Sequence, residues 1–252
     1  ELVRGRAGVE RLVYSTAASW ADARAWIEKR VEAAIVADAA VKAKAKEVAA
    51  GSLLPAERLA RLHAFVVDGV QTIAWPVAAL DYEARPAGDV LKSGVGNALD
   101  KAVLLAALLR SEGFDARIVL AASEREIASD VPSVPQLDEV WVRAASGPHP
   151  VWLDPTASLD RRNRSHLAGR AVLALDGAAS RLEVLPELDL STNRASLRAD
   201  LSIESAEHEL RISGSADVDL GGLYNPLVAF DRSKERATPI ATADSAPPSC
   251  VV

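Results

Sequence analysis

Residues 94–113 read Gly94-Val95-Gly96-Asn97-Ala98-Leu99-Asp100-Lys101-Ala102-Val103-Leu104-Leu105-Ala106-Ala107-Leu108-Leu109-Arg110-Ser111-Glu112-Gly113. From Asn97 to Arg110 the apolar positions Ala98, Leu99, Ala102, Val103, Leu105, Ala106, Leu108 and Leu109 recur at helical spacing over a wide arc, and Gly113 supplies the stop. An arc that wide cannot be covered by one neighbour, so the segment is predicted to be a central helix packed on more than one side. Gly94-Val95-Gly96 does not form a phosphate loop, because no Lys-Ser/Thr pair follows; its glycines fit a tight approach to the helix.

After Gly113 the pattern changes to short strands. Ala116–Ala122, Asp138–Arg143 and Val151–Asp154 are separated by turn residues, and the loop 123–137 is polar with Pro132 and Pro135. Further strands are predicted at Ala171–Leu175, Leu182–Leu185, Leu197–Glu204 and Glu209–Val218. The last two alternate apolar and polar residues, as an antiparallel hairpin does. Residues 231–252 are rich in Ser, Ala, Thr and Pro and read as a mobile tail.

Upstream, Ser19 and Asp22 give a helix N-cap with an acid in the first turn. Trp20, Ala23, Ile27, Val31, Ala34 and Ile35 then carry a helical stripe predicted to run to about Val48 and stop at Gly51. Pro55 opens a second helix with Leu59, Leu62, Phe65, Val66 and Val70 on its buried side. Residues 73–95 hold Pro76, Pro86 and Gly88 and read as a loop. The order is helices, one buried helix, a small antiparallel sheet, then a β-rich extension: an α+β fold.

The 252 residues include 29 Lys and Arg against 35 Asp and Glu, a net charge of −6, with 49% hydrophobic residues. That is globular composition, and it argues against nucleic acid as the main partner. No apolar run approaches the ~20 residues of a spanning helix. With no Met and Glu1 at its start, the chain reads as an internal or processed fragment of a longer protein. Its single Cys, Cys250, permits neither an internal disulfide nor a cysteine-based zinc site.

The central helix behind Gly94-Val95-Gly96, the strands after it and the closing Trp152-Leu153-Asp154-Pro155-Thr156 together resemble the transglutaminase-like, papain-related fold. The nearest subgroup is the bacterial transglutaminase-like domains that follow an N-terminal β-domain. The resemblance extends from Ser19-Trp20 through Gly96–Lys101, Leu108-Leu109-Arg110, Gly113 and Pro132-Ser133 to Thr156, and more weakly through 167–226. It implies a linker at 1–18, a transglutaminase-like domain at 19–160 and a β-rich extension at 161–230. It also implies a cysteine at the start of the central helix, a histidine on a following strand and an aspartate at the end of the next. A thiol at a helix N-terminus is lowered in pKa by the dipole, an imidazole moves the proton, and a carboxylate orients the ring. In this sequence those positions hold Ala98, Glu139 and Asp154, and Asn97 stands where the family has Asp.

Alanine has no nucleophile, and a carboxylate cannot both accept and donate near neutral pH unless its pKa is raised by several units. The expectation is therefore a catalytically inactive domain kept as a protein- or peptide-binding or scaffold module. The alternative is a cysteine-type transglutaminase or peptidase silenced at position 98, and a third reading is a structural connector in a longer envelope-associated protein. The binding-cleft candidates are Trp75, which matches a family aromatic beside the cleft, with Asn97, Ala98, Glu139 and Asp154.

Glu139 and Asp154 are expected on adjacent strands, both facing the start of the central helix. The leading role for Glu139 is to accept hydrogen bonds from the helix's unpaired N–H groups; a cation held by the two carboxylates, or acid–base hydrolysis by them, are alternatives. Asp154 also fits a turn, with Asp-Pro-Thr bonding its own backbone. Asp100-Lys101 reads as a solvated or helix-dipole pair. Trp20, Trp26, Trp75 and Trp152 read as packing residues, and His63, His149, His166 and His208 as non-catalytic. No cofactor or resident metal is implied, and the family setting suggests an extracytoplasmic bacterial protein with flanking domains.

Overall fold

The computed structural model describes residues 12–124, 126–145, 150–158, 164–176, 182–187, 193–204 and 209–220. The first helix, α1 (Trp20–Ala34), begins at Ser19, whose side chain accepts from Asp22 N, and buries Trp20, Ala23, Ile27, Val31 and Ala34. The predicted single helix to Val48 is in fact two. The chain leaves the helix at Ile35 and restarts at Asp38, which accepts from Val41 N at 2.8 Å and caps α2 (Ala39–Ala49). An aspartate side chain that can bond the backbone locally competes with helix continuation, and here it wins.

Helix α3 (Pro55–Gly69) carries Pro55 in its first turn and buries Leu59, Leu62, His63 and Val66. The stretch read as a loop contains a 3-10 turn at Val77–Leu80 and a short helix, α4 (Ala87–Ser93), closed by Gly94 at φ 65°. Gly88 lets α4 lie against the start of α2, because a Cβ there would run into the Asp38 carboxylate. Two-residue strands β1 (Gln71–Thr72) and β2 (Val95–Gly96) pair in parallel. They lead into α5 (Ala98–Ser111), where every residue from Leu99 to Leu109 is buried.

The sheet comprises β3 (Asp115–Ala121), β4 (Glu139–Ala145), β5 (Pro150–Leu153), β6 (Ala171–Ala174) and β7 (Glu183–Val184), all neighbours antiparallel, in the order β5-β4-β3-β6-β7. The strands expected in an extension beyond residue 160 thus complete the central sheet. The segments β8 (Asn193–Glu204) and β9 (Glu209–Leu220) form the expected hairpin, paired from Asn193↔Leu220 to Glu204↔Glu209.

Strand alternation divides the core in two. Ile118, Leu120, Val140, Val142, Ala144 and Leu153 join the helices in the main cluster. Val119, Ala121, Trp141, Trp152, Leu167 and Val172 form a smaller one on the sheet's other face. Arg110 ties three elements together: its guanidinium is bidentate to Glu32 at 2.8 Å for each bond, and its Nε donates to Ala116 O at 2.9 Å. The tail 231–252 lies outside the described residues.

Candidate functional site

The start of α5 is built by a reciprocal cap. Asn97 Oδ1 accepts from Asp100 N at 2.9 Å, and Asp100 Oδ2 accepts from Asn97 N at 3.3 Å, which satisfies two donors at once. Asp100 also accepts from Arg85 N at 2.9 Å and Arg85 Nε at 3.0 Å. Gly96 has to be glycine for this to close, since a Cβ there would come within 2.9 Å of Asp100 Cβ. Ala98 occupies the first helical position, half-buried, with only a methyl group to offer.

Of the two readings of Asp100-Lys101, the solvated pair is overturned, while Asp100 does sit at the positive end of the helix dipole. Lys101 is 0% exposed and Asp100 4%. The Lys101 ammonium donates to Val70 O at 2.8 Å, Thr72 Oγ1 at 2.9 Å and Val67 O at 3.2 Å. It thereby binds the carbonyl end of α3 and strand β1, where α3 has no base of its own in its last turn. Burial pushes the Lys101 pKa down, opposed by the nearby charges of Asp154 and Asp68.

Asp154 forms the predicted turn, its Oδ1 accepting from Thr156 N at 2.7 Å and Thr156 Oγ1 at 2.6 Å. It is 2% exposed and close enough to Lys101 and His63 to act on both charges. Its carbonyl oxygen lies 2.6 Å from His63 Nε2, and since a carbonyl can only accept, that nitrogen carries the proton. Burial pushes the His63 pKa down, with the Asp154 carbonyl and carboxylate opposing. An imidazole therefore does reach Asp154, but from α3 and sealed in the core.

Glu139 goes elsewhere. Its carboxylate accepts from Trp141 Nε1 at 3.1 Å and from Arg170 Nη1 at 3.5 Å. Asn97 and Asp100 take up two of the amides at the start of α5, and residue 139 shares the Trp141 face of β4, while Val140 and Val142 pack with the helices. The register Val142↔Leu153, continued, sets Asp154 opposite Trp141 and leaves Glu139 diagonal to it. In that continued register Asp154 and Glu139 fall on the same side of the sheet, the Asp154 carboxylate taken up by its own turn and that of Glu139 by Trp141 and Arg170.

Ile73 N donates to Gly96 O at 2.9 Å, which holds the chain leading to Trp75 beside the start of α5. Ile73 is 45% and Trp75 61% exposed, so Trp75 is a surface residue rather than a packing one. Trp26 is also largely open, at 43%, while Trp20 and Trp152 are buried as expected. His166 is half-buried in a 3-10 turn. His149, His208 and Cys250 fall outside the described residues. Among those described, no three His, Cys, Asp or Glu side chains gather into a metal site, and no helix is long and apolar enough to cross a membrane.

The sequence reading missed the joining of His63, Lys101 and Asp154 and the pairing of Arg85 with Asp100. Two signals were present: a lysine inside an otherwise apolar arc, and the Asn-x-x-Asp spacing of a cap at 97–100.

A buried helix entered through a glycine turn and laid against an antiparallel sheet is the arrangement that the resemblance to the transglutaminase-like fold leads one to expect. Residues 42–153 match the model of the transglutaminase-like superfamily. Among solved structures the chain is similar to "a putative protease from Parabacteroides distasonis ATCC 8503", at 22% identity and a TM-score of 0.55, over 68% of this chain and 32% of that one. It is also similar to "a putative cysteine protease from Cytophaga hutchinsonii", at 12% identity and a TM-score of 0.37, over 75% of this chain and 55% of that one. The chain thus spans about a third and about half of those two proteins. No curated protein matches it.

Proposed function

We propose that this is a transglutaminase-like domain without acyl-transfer activity, retained to bind an extended peptide or protein segment. The observation that carries the reading is Ala98 at the first position of α5, a methyl group where the family's chemistry needs sulfur. Two further features support it. The residue at the family's histidine position is a carboxylate engaged by Trp141 and Arg170. Exposed Ile73 and Trp75 flank the helix start and offer apolar surface for a ligand.

The test is reversion. Ala98→Cys and Ala98→Cys/Glu139→His are assayed for hydrolysis of a fluorogenic casein substrate and for incorporation of a labelled amine. The single variant is expected to stay silent, because the family's histidine position still holds Glu139. Turnover by Ala98→Cys alone would favour an enzyme silenced only at its nucleophile. In a peptide-array screen, Trp75→Ala is expected to weaken bound sequences about tenfold, which is ~1.4 kcal/mol.

A further inference from the structure

A cavity of about 650 Å³ lies away from the family positions, between the segment 12–17, α1, the 3-10 turn Val77–Leu80 with its following residues, and the segment 132–136. None of Trp75, Asn97, Ala98, Glu139 or Asp154 lines it. Its size is that of a small-ligand site. We propose that it binds an alkylammonium or guanidinium group, as borne by a lysine or arginine side chain, with the charge at Asp81 and the aliphatic stem against Trp26 and Tyr82.

The charge on the walls sets the sign. Asp22 and Asp81 line the cavity, and among the described residues no Lys, Arg or His does. Asp22 already takes the Ser19 hydroxyl at 2.8 Å at the start of α1. The Asp81 carboxylate makes no hydrogen bond or ion pair among the described residues, so it is the one available to a ligand. Two acids on the walls make a local field that favours cations.

The aromatic walls set the shape. Trp26 and Tyr82 meet edge to face, with ring centroids 6.3 Å apart at 76°, and both line the cavity. Arg30 covers one face of Trp26 at 3.9 Å without lining the cavity, which is why the ligand's charge is assigned to Asp81 and not to the indole. A methylene stem ending in a cation suits such a wall, burying its carbons and presenting its head to a carboxylate.

The backbone is bent to serve the same place. Asp81 and Tyr82 have φ of 49° and 55°, the left-handed region that side chains other than glycine rarely enter, and they are consecutive. The buried Tyr82 hydroxyl has no hydrogen-bond partner among the described residues. An unfavourable backbone and an unpaired hydroxyl are thus both tolerated where the chain delivers the carboxylate and the ring to one cavity.

The experiment reads the indole N–H signals of the whole chain by nitrogen–proton NMR, with Trp26 assigned through Trp26→Phe. The probes are N-acetyl-lysine methylamide, cadaverine and N-acetyl-glutamate methylamide. The lysine derivative is expected to shift the Trp26 signal saturably, the glutamate derivative to leave it in place, and Asp81→Asn to weaken binding about tenfold. Asparagine tolerates a left-handed backbone, so this exposed variant keeps its fold. Cadaverine binding as tightly as the lysine derivative supports a free amine as the source; weaker binding supports a peptide side chain. No saturable shift at Trp26, an equal response to the glutamate derivative, or an affinity unchanged in Asp81→Asn overturns the proposal. None of these readouts involves position 98, so the outcome is separable from that of the reversion experiment.

Discussion

Replacing Lys101 by Met keeps the length of the side chain and removes its charge. Three acceptors then lose their donor: Val67 O, Val70 O and Thr72 Oγ1. Hydrogen bonds to a charged group contribute ~1.5–3 kcal/mol each, and a buried acceptor left unpaired costs ~1–3 kcal/mol. Against this stands relief of desolvating a fully buried ammonium, several kcal/mol in the opposite sense. The first effect wins because removing one partner strands the other: the Val70 carbonyl, at the end of α3, is buried with the ammonium. A net loss of about 3 kcal/mol follows, or roughly 6–12 °C in Tm for a chain of this size. Urea unfolding followed by tryptophan fluorescence measures it, with an unchanged m-value as the sign that stability alone has moved. Hydrogen exchange adds a local readout. The amides of Gln71 and Ile73, bonded to Gly94 O at 2.8 Å and Gly96 O at 2.9 Å, are expected to exchange faster as β1 loosens. A Met variant as stable as the parent, with those amides still protected, would falsify the assignment of Lys101 as the clamp between α3 and β1.

Asn97→Ala removes a reciprocal cap and is expected to lower stability by about 1 kcal/mol in urea, while Asn97→Asp preserves most of it. Glu139→Gln keeps an acceptor for the Trp141 indole and weakens the 3.5 Å ion pair with Arg170, so less than about 1 kcal/mol is expected to be lost; a larger drop would mean the carboxylate charge matters to the fold. His63 has a pKa below its unfolded value of 6.5, so the unfolded chain binds the proton first. Its contribution to stability is complete above about pH 6.5 and is lost as the pH falls below that value. Urea midpoints across that range should decline in the parent and decline less in His63→Gln, and equal slopes in the two would remove His63 as the cause.

The sequence foretold the helix after Asn97 because its apolar arc is long and its stops are explicit, and the strands around Ile118, Val142 and Leu173 because short Val- and Leu-rich runs lie between turn residues. The break at residues 35–38 was hidden because the apolar stripe continues through Ile35, and only the Asp38 side chain interrupts it. Helix α4 spans a mere seven residues behind Pro86, too few to show a period. At the site, Ala98 and the Asp154 turn were legible from spacing. The direction of Glu139 was not: which face a strand turns to a helix depends on register, and one residue of slip exchanges the two. Lys101 was misread because a charge beside another charge on a helix is usually wet, and only the arrival of α3 and β1 makes it dry.

Strand β3 has a neighbour on each side: β4 along its whole length, and β6 through Val119↔Ala174, Leu120↔Leu173 and Ala121↔Val172. Stopping the polypeptide at residue 160 would strip one flank from this strand and bare a row of amides between valine, leucine and alanine side chains. Such an edge is a template for the next molecule, so the shortened domain would be recovered as aggregate unless residues 164–187 were kept with it.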